Sequence, residues 1–258
     1  MSDVFAAIPI TPDHIWAVSL VVFRVGAAMA FLPAFGEQVV PMRVKLAATL
    51  SFSAILTPII WPAIEHVNSQ REWFALIGPE VASGLVVGFV FRLLVFALQV
   101  TGTIAAQSTS LSQFFGGGLG ADPQTAFSTL FVVSGLCLAV MLGLHIRVVE
   151  LLISSYESFP IGVWPGSGPT AEWAITKIST MFGLGFTLAG PFVLASLIYN
   201  LGLGAINKAM PQLMVAFVGA PAISFGGLLL LLMSSPIILT VWGRTFIRLT
   251  SPVGAGFE

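Results

Sequence analysis

The sequence predicts an all-α, polytopic integral membrane protein of long helical hairpins broken by proline and glycine. Three observations carry that prediction. Only 8% of the 258 residues are charged and 57% are hydrophobic, where a soluble chain draws about a quarter of its residues from Asp, Glu, Lys and Arg. With a mean hydropathy of +0.99, most of the exterior must face lipid or other protein. Apolar runs near membrane-spanning length recur along the chain, and 26 glycines and 16 prolines punctuate it.

The first run, Ile15 to Leu32, contains Arg24 and stops at "PAFGEQVVP", where Pro33 and Pro41 bracket a short turn. Its length, and the lack of a basic segment before it, predict a retained helix rather than a cleaved signal. The second run spans Val44 to Trp61 and is followed by "PAIEHVNSQRE", the most water-like segment of the chain. Trp73 to Val100 forms the third run and contains Arg92; Thr125 to Ile146 forms the fourth. An amphipathic stretch, "RVVELLISSYESFPIGVWPGSGP", leads to the uncharged runs Ile178 to Ile198 and Leu213 to Trp242. About twenty residues at 1.5 Å each cross the hydrocarbon layer, so six stretches are long enough or nearly so.

Charge bias conflicts with six simple spans. Arg43 and Lys45 place the turn after the first run in the cytoplasm, and Arg244 and Arg248 place the C-terminal end there too. The first assignment puts the N-terminus outside, whereas six crossings need both termini on one side. Pro58, Pro191, Pro221 and Pro236 interrupt the runs, which predicts broken or re-entrant helices enclosed by protein or lining a water-filled cavity. Small residues at four-residue spacing, Gly84 with Gly88 and Gly135 with Ala139 and Gly143, predict faces for close helix packing.

The residues for chemistry are few. No nucleophile elbow, zinc-binding helix or phosphate-binding loop motif occurs, and His14 and His66 lack ligand spacing. No catalytic, metal-binding or cofactor-binding residue is expected, and the protein is expected not to be an enzyme. A net charge of −1 without a basic block predicts no nucleic-acid partner. The single cysteine, Cys137, lies in an apolar run and reads as a small buried hydrophobe. Arg147 and Glu150, near His145, are spaced to pair on one helix face.

Two cations interrupt apolar runs. Arg24 lies too deep for easy snorkelling and is expected to face a wet interior or another subunit. Arg92, nearer the end of its run, either snorkels or is buried. The few charges are not expected to converge on a transport site.

One insert stands apart. "QSTSLSQFFGGGLGADPQ", Gln107 to Gln124, is polar and glycine-rich between apolar flanks. Gly116, Gly117 and Gly118 supply backbone freedom, and Phe114 and Phe115 supply apolar bulk. Two readings stay open from the residues alone: a re-entrant connector, or a deformable plug that closes a pore by excluding water.

Several stretches, in order, resemble the FliR family of type III secretion export-gate proteins: "FRVGAAMAFLPAFGEQVVPMRVKLAATLSFS", the Gln107–Gln124 insert, "GLHIRVVELLISSYESFPIG" and "LGLGAINKAMPQLMVAFVGAPAISFGGLLLLL". The ordered set is specific, above all P-x-F-G before P-x-R-V-K, the Asp122–Pro123 pair and N-K-x-x-P-Q at Asn207 to Gln212. The resemblance implies a non-enzymatic inner-membrane subunit of the flagellar basal body. It implies a FliP-like part, residues 1–172 with the plug loop 107–124, fused to a FliQ-like hairpin and tail, residues 173–258. Implied partners are FliP-like and FliQ-like subunits, an FlhB-like subunit, an FlhA-like export component, membrane lipids and the secreted polypeptides themselves.

On the same resemblance Phe114, Phe115, Gly116, Gly117 and Gly118 form the plug. Arg24, Pro33, Pro41, Arg43, Asp122, Pro123, Arg147, Glu150, Lys208, Pro211 and Gln212 serve structure and assembly. Relatives carry Arg where this chain has Lys208 and an acid where it has Asn200, which weakens any inference of a salt bridge there. The injectisome branch shares the architecture, so flagellar and virulence use both stay open. A stand-alone transporter and a pure scaffold are the other classes. No half-to-half echo supports the transporter.

Overall fold

The computed structural model describes residues 12–33, 35, 40–65, 73–109, 126–210 and 215–251. Among them are seven helices and no strand: α1 Pro12–Phe31, α2 Met42–Glu65, α3 Trp73–Ser108, α4 Ala126–Met141, α5 Leu144–Ser158, α6 Ser167–Ala209 and α7 Val215–Leu249. Four contain segments long and apolar enough to cross a membrane: Met42–Ile64, Phe74–Ser108, Ser167–Ala209 and Pro221–Leu249. The all-α, polytopic fold class is therefore observed.

The expected interruptions fall elsewhere. Pro58 lies inside α2, Pro191 inside α6, and Pro221 and Pro236 inside α7, all within continuous helices. A proline removes one N–H, but a membrane helix re-satisfies the freed carbonyl locally. Ser235, for example, donates its hydroxyl at 3.5 Å to the carbonyl of Leu232, the one that Pro236 leaves without an N–H donor. The break comes instead in the fourth apolar run, between α4 and α5. Gly143 there adopts φ 83°, a left-handed conformation that glycine adopts without strain. Gly143 is thus a turn residue, not the third member of a packing face with Gly135 and Ala139.

Other boundaries move outward. The third run continues eight residues past Val100 because its hydroxyls are satisfied by the helix itself. Thr101 donates to Ala97 O at 2.8 Å and Ser108 to Ile104 O at 2.8 Å. Gln107 and Ser108 therefore belong to α3, and Thr109 closes it with an N–H bond to Ala105 O. α6, 43 residues long, absorbs Glu172 and Lys177 at its start and Lys208 at its end. At 1.5 Å per residue it extends about 64 Å, roughly twice the hydrocarbon thickness.

The chain divides into two compact units that are not sequential. Unit 1 contains residues 1–92, 143–173 and 248–258; unit 2 contains 93–142 and 174–247. In unit 1, α1 and α2 pack together and the first half of α3 lies against α1. A Cβ on Gly84 would collide with the Arg24 carbonyl, and one on Gly88 would come within 2.5 Å of the Ala28 carbonyl. These two glycines form the close-packing face that their spacing predicts.

Unit 2 holds the second half of α3, α4, most of α6 and α7. Its seams are also glycine-lined. Gly102 meets the backbone of Ser128, Gly135 lies under Leu98, and a Cβ on Gly185 would sit 3.0 Å from Ala97 O. Edge-to-face rings, Phe96 on Phe182 at 5.1 Å and Phe127 on Phe192 at 6.1 Å, fill the space between helices.

Candidate functional site

Unit 1 contains the densest polar chemistry among the described residues. Arg24, from the middle of α1, is fully buried, and so is Glu80 from the first half of α3. The guanidinium grips the carboxylate with both edges: Nε donates to Oε2 at 2.8 Å and Nη2 to Oε1 at 3.1 Å. The remaining donors reach α5 and the turn after it. Nη1 bonds Ser155 Oγ at 3.3 Å, and Nη2 bonds the Phe159 carbonyl at 2.9 Å. Tyr156 lays its ring 3.8 Å under the guanidinium carbon.

Glu80 is held equally well. Its Oε1 also accepts the backbone N–H of Gly162 at 3.1 Å. Gly162 has φ 72°, so the turn presents that N–H at a position suited to glycine. Beside it, Trp164 covers Gly78, where a Cβ would stand only 2.7 Å from the indole. The cluster therefore ties α1, α3, α5 and the turn leading to α6 at one point.

This arrangement corrects the expectation for Arg24. It faces neither a wet interior nor another subunit; its charge is neutralised by Glu80 of the same chain. Two of the few charges do meet here, as a mutually neutralised pair and not as a transport site. Glu80 was legible in "WFALIGPEVASG", as an acid inside an apolar run, and a buried cation in a membrane helix calls for such a partner. With both ions bidentately paired and further bonded, the cluster offers no free base or nucleophile. Its chemistry is that of a clamp.

The other predicted residues are dispersed. Pro33 is buried just after α1. The Pro41 carbonyl accepts the N–H groups of Val44 at 2.9 Å and Lys45 at 3.3 Å, opening α2, and Arg43 stands exposed in that first turn. Arg147 and Glu150 pair at 3.5 Å across one turn of α5. Lys208 is exposed in the last turn of α6, where a cation suits the helix dipole. Cys137 is exposed on α4, against the expectation of burial. Phe114, Phe115, Gly116, Gly117, Gly118, Asp122, Pro123, Pro211 and Gln212 lie outside the described residues. Among the described residues no group of three or more His, Cys, Asp or Glu side chains is placed to hold a metal ion.

α6 and α7 carry the other notable feature. Only 28% and 11% of their most apolar windows are buried, against 61% for α3. Phe186, Ile198 and Leu201 on α6, and Leu232, Met233 and Ile237 on α7, stand outward.

Residues 15–249 match the family described as bacterial export proteins, family 1. The chain belongs to that family. It is 30% identical over 236 residues to the flagellar biosynthetic protein FliR of Caulobacter vibrioides, covering 90% of this chain and 93% of the relative. The FliR protein of Aquifex aeolicus is 30% identical, with 87% of each chain covered. The secretion system apparatus protein SsaT of Salmonella typhimurium is 24% identical, with 74% and 75% covered. Flagellar biosynthetic proteins and a secretion system apparatus protein are thus both similar to this chain, which is a multi-pass helical membrane protein.

Proposed function

We propose that the chain is a non-enzymatic subunit of a type III protein export gate in the bacterial inner membrane, serving flagellar assembly. The observation that carries this reading is the family match running almost end to end, with flagellar relatives at 30% identity over about nine-tenths of the chain. The weaker similarity to SsaT favours the flagellar branch over the injectisome one. In this reading the chain joins FliP-like and FliQ-like subunits as the copy that closes their ring. FlhB-like and FlhA-like components act beside it. The division into a FliP-like part, 1–172, and a FliQ-like part, 173–258, belongs to the same proposal. Support comes from α6 and α7, whose apolar outer faces find little cover among the described residues and whose length exceeds what a bilayer needs.

The loop beyond α3 is the gasket of this gate: Phe114 and Phe115 block the lumen, and Gly116 to Gly118 let them settle there and withdraw. Unfolded substrate chains pass through the opened pore, driven by other components. Co-expression with the neighbouring gate genes, mild-detergent purification and native mass spectrometry test the assignment. One copy of this chain with several FliP-like and FliQ-like subunits is expected; a stable monomer or homodimer indifferent to them overturns it. Deleting Gly116–Gly118 is expected to raise the small-ion conductance of the closed gate in planar bilayers. An unchanged conductance would refute the plug.

A further inference from the structure

The turn that follows α5 is built differently from the helices of unit 1. Pro160 and Pro165 bracket it, and each lacks an N–H and fixes its own φ, so neither α5 nor α6 can absorb the segment. Phe159, before the first proline, already stands off helical geometry at φ −124° and ψ 85°. The Val163 N–H then closes a tight turn on the Pro160 carbonyl at 3.1 Å, with Gly162 in the left-handed region at φ 72°. α6 begins at Ser167, three residues past Trp164. Residues 159–164 thus form a short strap between two helices, outside the apolar spans.

The strap is attached by other means than its neighbours. Close glycine contacts and buried aliphatic side chains hold α1 to α3, whereas within the strap Ile161 alone is buried and Pro160, Val163 and Trp164 stand exposed. Its seat is largely polar. Arg24 Nη2 donates to the Phe159 carbonyl at 2.9 Å, and Glu80 Oε1 accepts the Gly162 N–H at 3.1 Å. The Trp164 indole rests on Gly78, its far edge 2.7 Å from where a Cβ would stand.

Both bonds end on ions that have other partners. With the strap lifted, Arg24 keeps both Glu80 oxygens and Ser155 Oγ, and Glu80 keeps Nε and Nη2. Lifting therefore strands no charge, which is what makes breaking a buried ion pair costly. An element with little buried apolar surface, bonded to groups that can spare it, belongs to the low-stability end of a fold.

We infer that residues 159–164 are a releasable strap and that the Arg24–Glu80 pair is its catch: the strap lifts from α1 and α3 while the pair stays closed. Release untethers the start of α6, whose residues 167–173 belong to unit 1, without breaking the contact between α1 and α3. The 43-residue α6 is thus entered through a connection with two positions, docked and lifted. The device lies in unit 1 alone and does not depend on the export-gate reading. A strap that fails to open and a chain that fails to join a gate are separate results.

Hydrogen–deuterium exchange of the full chain in detergent micelles tests it, with fragmentation of the exchanged peptides resolving the Gly162 amide. That amide is expected to exchange at least about a hundredfold faster than the helical amides flanking Arg24 in α1 and Glu80 in α3. Gly162→Ala keeps the N–H but places a side chain in the left-handed region, which only the docked strap demands. Exchange at position 162 is expected to rise about fivefold to thirtyfold, with α1 and α3 unchanged. Trp164→Ala, at an exposed position outside the turn bond, guards against a folding defect in the first variant. Loss of the indole seat on Gly78 is expected to speed the Gly162 amide about tenfold, again with α1 and α3 unchanged. A Gly162 amide as slow as the helix amides overturns the inference. So do variants that leave it unchanged or that speed α1 and α3 equally, because the segment then opens only with the fold.

Discussion

The two units solve one problem by different means. Lipid tails are as apolar as leucine, so helices inside a bilayer gain nothing by hiding apolar surface from it. Unit 1 adds a charge-neutral polar cluster to its glycine face, with the Arg24–Glu80 pair bonded to two further segments. Unit 2 relies on glycine seams, ring contacts and dispersed side-chain bonds between helices, among them Trp242 Nε1 to Leu94 O at 2.8 Å, Thr101 Oγ1 to Gly185 O at 3.1 Å and Tyr199 Oη to Gly219 O at 2.6 Å. A bidentate ion pair forms in one register only, so unit 1 is specified by geometry and vulnerable to a single loss. Dispersed contacts fail by degrees, so unit 2 should answer mutation in proportion.

The sharpest test of that contrast is removal of one ion. Arg24→Ala or Glu80→Ala leaves an unpaired charge in a buried, membrane-depth site, a loss of about 3–5 kcal/mol. Unfolding in detergent or bicelles is expected to show it as a large fall in the midpoint. The paired exchange Arg24→Leu with Glu80→Leu removes both charges and is expected to recover a substantial part of that stability. If the single variants match wild type, the cluster is no clamp and the comparison collapses.

Next in size is a glycine seam of unit 2. Gly102→Ala drives a methyl into the Ser128 backbone, and overpacking of this kind costs about 1–3 kcal/mol. Gly190→Ala, on the same unit's α6, meets nothing within 4 Å and is expected to leave the folding of the chain unchanged or slightly improved. Equal effects from the two would show that unit 2 does not depend on close approach at Gly102. Trp242→Phe belongs in the same range, about 1–2 kcal/mol, because the buried Leu94 carbonyl loses the indole donor.

How far these features could be read in advance depends on the kind of force involved. Composition and run length gave the fold class, because they are properties of the solvent the chain must face. The Gly84–Gly88 face was legible because four-residue spacing is itself the geometry of a helix seam. Arg24 and Glu80 are each legible as a charge inside an apolar run, but their pairing is not, because contact across 56 residues depends on which helices neighbour one another. The prolines misled for a related reason. Proline breaks a helix in water, whereas here the helices run on through Pro58, Pro191, Pro221 and Pro236, and the break falls at a left-handed glycine. Of the proposed site, the clamp emerged from packing, while the plug residues rest on the family resemblance.

The smallest predicted effect tests what Tyr156 contributes to the clamp. Its ring lies 3.8 Å from the Arg24 guanidinium carbon, and its hydroxyl is buried with no hydrogen-bond partner among the described residues. A cation–π contact needs the ring alone, and an unpaired buried hydroxyl opposes folding. Tyr156→Phe keeps the first and removes the second, so its stability is expected to equal wild type or exceed it by up to about 1 kcal/mol. Tyr156→Leu removes the π face and is expected to fall below the Phe variant by about 1–2 kcal/mol, beyond the cost of altered packing alone. A double-mutant cycle with Arg24→Leu separates the two contributions: the Phe-to-Leu loss should shrink when the guanidinium is absent. If it persists undiminished, Tyr156 is a packing residue, and the clamp consists of the ion pair and its backbone partners only.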